Sequence, residues 1–289
     1  MQTITKIHKV AAFTKDGQGG NPAGVMIRAA MPDEQAMQRI AAELGYSETV
    51  FAAPIDDGWR VRYFSPEGEV PFCGHATIAL GAVLAQQNGD GIFSLTTNHA
   101  RVTVEGKVEG KADGKVDSDV ASAALQSPAT TSAAAPSALV DNALALFAYS
   151  RADLDERIPP ALANGGADHL VLALASRELL RAMRYELDAG RSLMRDHGLA
   201  TISLVHAETP QRFHARNPFA SGGVYEDPAT GAAAAALGGY LRDLDWPHGG
   251  HIDILQGEDM GVPCHLQVHI GQQAGGSIRV AGTTRTLAD

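Results

Sequence analysis

A chain of 289 residues is long for one simple core and sufficient for two domains, each large enough to bury its own interior. Its 45% hydrophobic and 19% charged residues suit an ordinary soluble globular protein, and no stretch approaches the roughly 20 apolar residues of a membrane helix, which argues against a membrane partner. A formal charge of -10, with no cluster of Lys and Arg to neutralise phosphates, argues against nucleic acid.

The opening, MQTITKIHKVAAFTKDG, has no basic start followed by an apolar run and a cleavage site, so no secretory signal is read and the cytoplasm is the expected compartment. Ile7 to Phe13 reads as a strand, and "GQGGNPAGV" supplies turn chemistry before a second strand. After Pro32, Asp33 and Glu34 fill a first helical turn, Met37, Ile40, Ala41 and Leu44 follow at helical spacing, and Gly45 marks the stop. "SETVFAAP" alternates as a strand should, placing Glu48 on one face with Val50 and Ala52. "GWRVRYFSP" gives another strand, and a turn at "EGE" leads to "VPFCGHATIALGAVLAQ".

Between 105 and 137 the composition changes. "EGKVEGKADGKVDSD" is charged and Gly-spaced, "SAALQSPATTSAAAPSA" is rich in small residues and proline, and the domain junction is expected here; the first part reads equally as a pair of exposed strands. Beyond it "ALVDNALALFAYS", "RELLRAMRYEL" and "AGRSLMRDHG" look helical, while "ADHLVLALAS", "TISLVHAE" and "RFHARNPF" look like strands.

Two helices stand out because they lack a polar face. From Ala76 to Ala85 only Thr77 is polar, and from Ala232 to Leu241 only the Tyr240 hydroxyl is. A helix apolar all round must be surrounded by protein, so each half of the chain is expected to hold one thin helix wrapped by a curved sheet. Both begin at a Gly beside a Thr: Gly74 and Thr77 in one, Thr230 and Gly231 in the other. Unpaired N–H groups and the positive dipole end make such an entrance an anion site, which suits a carboxylate substrate.

Read alone, each polar residue near these entrances has a plainer meaning. His75 is equally a helix cap or a packed, satisfied ring. Asp227 before Pro228 serves as well as an N-cap or turn residue, Glu48 as a solvated carboxylate and Cys73 as a small buried hydrophobe. Two cysteines, Cys73 and Cys264, are too few for a disulfide framework or a cysteine-rich zinc site and read as reduced thiols. "CHLQVH" gathers Cys264, His265 and His269, but strand geometry sends the thiol to the face opposite the histidines, and no metal is expected. No dinucleotide fingerprint, P-loop or nucleophile elbow occurs, so no organic cofactor is expected.

"GNPAGV" at 20–25, "SETVF" at 47–51, "CGHAT" at 73–77 and "EDPATG" at 226–231 together resemble, in order and spacing, the phenazine-biosynthesis PhzF-like isomerase family over essentially the whole chain. The resemblance implies an α+β, diaminopimelate-epimerase-like fold: two similar domains, each a strongly bent, mostly antiparallel sheet around a central apolar helix, with the active site in the cleft between them. With the composition change, it places the domains at 1–115, with strand 278–289 returning to it, and at 118–277. It implies proton transfer without a cofactor and a homodimer. Carried over, Glu48 is the general acid/base, His75 orients or protonates substrate, and Asp227 holds the substrate amine or ring position. Asn21, Ser47, Gly74, Ala76, Thr230, Gly231 and Ala232 are the implied substrate contacts.

The implied substrate is a small cyclic or amino-acid-derived carboxylate, such as trans-2,3-dihydro-3-hydroxyanthranilate. Acid/base work by Glu48 needs a raised pKa, which desolvation on an apolar strand face would supply. Two departures bear on the substrate: Ala232 stands where the family has a serine, and "GVPC" at 261–264 replaces "GRPS", removing an arginine. Cys73 raises an epimerase or racemase alternative, although the second entrance offers "DPAT" and no second thiol. A non-catalytic metabolite-binding protein on the same fold is the other alternative.

Overall fold

The computed structural model describes residues 7–108 and 120–288. The chain divides into two compact units, Met1–Gln126 with Ala281–Asp289, and Ser127–Val280. The junction expected at 115–118, and most of the charged Gly-spaced run before it, lie outside the described residues.

The first unit contains β1 (His8–Thr14), β2 (Asn21–Ile27), α1 (Glu34–Leu44), β3 (Glu48–Ile55), β4 (Gly58–Phe64), β5 (Glu69–Val70), α2 (Gly74–Asn88), β6 (Gly91–Thr96) and β7 (Arg101–Val108). It also takes most of β8 (Val120–Ala129), and a late strand, β17 (Ser277–Thr286), enters it from Ala281. Pairing runs β2–β3 parallel, β3–β4 antiparallel, β4–β6 parallel, then β6–β7 and β7–β8 antiparallel. Since β17 pairs with β8 and with β1, and β1 with β2, the ladder returns on itself.

Inside this ring lies α2, buried at every residue from Gly74 to Ala85. Its apolar circumference is the cause, and glycine sets the distance. A Cβ on Gly106 of β7 would stand 2.1 Å from the Gly81 carbonyl oxygen, and one on Gly81 would stand 2.4 Å from Val104. Helix α1 packs outside, capped by Asp33, whose carboxylate accepts from the Ala36 N–H at 2.8 Å, and ended by Gly45 at φ 70. Its Met37 and Ala41 pack with Met26, Phe51 and Phe64.

The second unit holds β9 (Thr131–Ala134), α3 (Ser137–Leu146), β10 (Ala161–Asn164), β11 (Asp168–Ala173), α4 (Arg177–Arg181), α5 (Leu187–Asp196), β12 (Thr201–Thr209), β13 (Arg212–Phe219), β14 (Val224–Asp227), α6 (Gly231–Asp243), β15 (His251–Gln256) and β16 (Cys264–His269). Pairing runs β9–β10–β11–β12–β13–β15–β16, with β11–β12 and β13–β15 parallel. Helix α6 is buried from Gly231 to Arg242 and packs against β9, β10, β11 and β16. Two glycines again admit it: a Cβ on Gly165 would meet the Ala236 nitrogen at 2.6 Å, and one on Gly239 would meet Thr130 Oγ1 at 2.5 Å. Aliphatic residues of α3, α5, β11 and β12 form a separate cluster with Phe147 and Tyr185 on the other side of the sheet.

The small-residue stretch expected to carry the domain junction is strand from Val120, forming β8 and β9, and the division between the two units falls within it, after Gln126. Its alanines are small for packing: Ala123 lies where a Gly81 Cβ would be 3.3 Å from it, so a larger side chain would meet the helix. "RELLRAMRYEL" yields only the five-residue α4, because the carbonyls of Arg181 and Met183 turn to the Arg216 guanidinium at 3.1 and 3.4 Å.

Candidate active site

Glu48 is the first residue of β3 and pairs with Ala23 in the strand that Asn21 opens. It is 5% exposed, and Asn21 is 1% exposed. The "NPAG" strand can run this close because Gly24 has no Cβ; one would stand 2.3 Å from Leu44 and 2.9 Å from Thr49. His75, second residue of α2, is 2% exposed. Its Nε2 lies 3.5 Å from Glu48 Oε2 and 3.4 Å from Ser47 Oγ, while Nδ1 lies 3.3 Å from Cys73 Sγ. The imidazole therefore bridges a carboxyl and a thiol.

Burial drives the His75 pKa down to about 3, against the opposing effect of a hydrogen bond to the Pro22 backbone. The ring is neutral at ordinary pH. Behind it, Thr77 Oγ1 donates to the Cys73 carbonyl at 2.7 Å. That hydroxyl has one proton, so Tyr63 donates its own to Thr77 Oγ1, at 2.7 Å. Burial raises the Tyr63 pKa and keeps the phenol protonated. These bonds fix the entrance to β4, with Gly74 and Ala76 in the helix's first turn.

At the second entrance Asp227 ends β14, and its Oδ2 accepts from Thr230 Oγ1 at 2.6 Å. Thr230, not Asp227, occupies the N-cap position of α6, and Gly231 and Ala232 begin the helix. Sequence reasoning missed the residue that shapes this turn. Gln256, 2% exposed at the end of β15, donates to the Asp227 carbonyl at 2.6 Å and accepts from the Thr230 N–H at 3.2 Å. Its only sequence signal was a glutamine at a strand position otherwise filled by apolar residues. Beneath the turn, Arg216 forms a buried two-point pair with Glu226, and Tyr185 stacks on Tyr225 with ring centroids 4.5 Å apart. The predicted residues thus fall into two sets, one at each helix entrance and one in each unit.

Among the described residues, Glu48, Cys73 and His75 are the group whose ligand atoms, all within 4.8 Å of one another, could hold a cation. His75 directs one nitrogen to each neighbour, so an ion bound by all three would replace one of those contacts. Cys264 is buried and donates to the Val262 carbonyl, whereas His265 on the opposite face of β16 meets Asp253 at 2.8 Å.

The model of the PhzC-PhzF family, phenazine biosynthesis-like protein, matches residues 10–289. The chain belongs to this family. A protein of Deinococcus radiodurans named an uncharacterized isomerase is 32% identical over 272 residues, covering 92% of this chain and 87% of its own. A solved Pseudomonas aeruginosa structure, described as a predicted epimerase, superposes with a TM-score of 0.84 at 25% identity, covering 98% and 97% of the two chains. A hydroxyproline epimerase of Agrobacterium vitis, 11% identical with a TM-score of 0.66, covers 98% of this chain and 89% of its own and shares the fold. This PhzC-PhzF chain is an isomerase with a sheet-rich α+β, epimerase-like architecture.

Proposed function

We propose that this PhzC-PhzF isomerase moves a proton within a small carboxylate-bearing substrate, with Glu48 as the acid/base. The observation that carries this reading is the buried Glu48 carboxyl with the neutral imidazole of His75 3.5 Å away. Glu48 takes a proton from one substrate carbon and returns it to another, leaving the composition unchanged. The electron pair stays in the substrate as its double bond shifts, so no electron acceptor is required. His75, uncharged, orients the substrate and the carboxyl. The first-turn N–H groups at Gly74 and Ala76 hold negative charge as it develops, as helix entrances do. Asn21 and Ser47 complete the contacts around Glu48, and Asp227, Thr230, Gly231 and Ala232 are assigned to substrate binding. The substrate is a cyclic or amino-acid-derived carboxylate, with trans-2,3-dihydro-3-hydroxyanthranilate the first to test. The reaction runs without a cofactor, and the enzyme is a homodimer of the cytoplasm.

The test is deuterium incorporation from D2O into that compound and into a panel of amino-acid-like carboxylates. Wild type is expected to exchange label, and Glu48→Gln to lose it by at least 100-fold, the scale of general acid/base catalysis, about 10²–10⁴-fold. Unchanged exchange in Glu48→Gln would refute the assignment. One observation favours a second reading: Cys73 Sγ, 3.3 Å from His75 Nδ1, is also placed to carry the proton. In that case Cys73→Ala, and not Glu48→Gln, abolishes exchange.

A further inference from the structure

A line of polar side chains crosses the second unit with no part in the chemistry above. His169 on β11, Thr201 on β12 and Asn217 on β13 are 1%, 2% and 1% exposed. Thr201 Oγ1 donates to Asn217 Oδ1 at 3.1 Å and lies 2.8 Å from His169 Nδ1. The threonine's single proton is spent on asparagine, so Nδ1 must carry the hydrogen donated to Oγ1. Burial lowers the His169 pKa to about 4, and the ring is neutral. Its other nitrogen, Nε2, is then a bare acceptor. Nε2 is fully buried and has no hydrogen-bond partner among the described residues. A buried acceptor left unpaired is costly, so such an atom points to a donor that arrives from elsewhere.

The fold indicates where. Leu170, Leu172 and Leu174 belong to the cluster on the far side of the sheet, so His169 lies on the face that α6 covers. A Cβ on Gly165, in the turn just before it, would meet α6 at Ala232, Ala235 and Ala236. Asn217 at the other end of the line pairs with Asp227, the residue that opens this entrance. We infer that His169 is a specificity residue at the α6 entrance, whose Nε2 accepts a hydrogen bond from an N–H or O–H donor next to the ligand's carboxylate. This deepens the proposed function and rests on its assignment of the α6 entrance to substrate binding.

The test measures binding without turnover, using 2-aminobenzoate and benzoate, which differ only in that donor. Wild type is expected to bind 2-aminobenzoate about tenfold more tightly, the worth of one hydrogen bond, and His169→Phe to bind the two alike. A preference kept in His169→Phe, a wild type without preference, or a wild type that binds neither compound would overturn the inference. Nitrogen-15 spectra of the intact protein give a reading that does not depend on the variant folding. The Nδ1–H tautomer is expected, with the Nε2 signal moving on addition of 2-aminobenzoate and staying with benzoate; an Nε2–H tautomer or an unmoved signal overturns it. Because no reading uses turnover, failure of Glu48→Gln to abolish exchange would sink the proton-transfer assignment and leave this result to be judged by itself.

Discussion

His75 and His169 give the protein a calculable response to acid. Both rings are neutral in the fold, with pKa values near 3 and 4 set first by burial, and both titrate near 6.5 when the chain unfolds. Between about pH 6.5 and 3 the unfolded chain therefore binds more protons than the folded one, and stability rises with pH over that window. The contribution is complete above pH 6.5 and is lost as pH falls toward 3. Urea midpoints measured at pH 7.5 and pH 5 should drop on acidification, and His75→Asn and His169→Asn should each reduce the drop. An unchanged pH slope in both variants would mean that neither ring is held neutral. At this same scale Glu48 and His75 were legible in the sequence only together with neighbouring motifs. Gln256 was not, since a buried amide closing a turn from a distant strand leaves no local pattern.

Helices α2 and α6 were readable because the absence of polar residues is itself a strong signal, one that survives without knowledge of the partner strands. Their surroundings were harder to read. Glycine and alanine in β7 and β8 look like linker composition, yet they are small because the helix backbone lies against them: Gly106 faces Gly81, and Ala123 sits beside it. The same residues that lower strand propensity create the room for close packing. Gly106→Ala puts a methyl group within 2.1 Å of a carbonyl oxygen that the helix cannot withdraw. It should destabilise the protein by about 1–3 kcal/mol, as overpacking does, seen as a lower urea midpoint. Gly45→Ala, with open space around the new methyl group, probes backbone conformation alone and is the proper comparison.

For the molecule as a whole, the notable fact is that the first unit is assembled from two separated pieces of chain. Thr14 and Thr283, 269 residues apart, meet at a hydroxyl–hydroxyl bond of 2.7 Å, and Val10, Ala11 and Ala12 pair with Thr286, Arg285 and Thr284. The return of strand 278–289 to this domain was expected from the family resemblance alone; no local pattern names β1 as its partner, because strand partners are chosen by the closure of the sheet and not by nearness along the chain. Removing Ala281–Asp289 should strip amide-exchange protection from β1, β8 and α2 while α6 keeps its own. Protection retained in α2 would show that the ring does not need its last strand. No described helix is long and apolar enough to cross a membrane.

The position of β17 also orders events on the ribosome. Synthesis proceeds from the N-terminus at roughly 5–20 residues per second. The residues from Ser127 to Val280 must all be made before Ala281 and its followers can reach β1. For several seconds at the least, the nascent N-terminal portion has an open seam beside β1, with unpaired backbone groups of the kind that recruit stray strands. The seam closes only when the sequence beyond Val280 has been translated and has paired with β1.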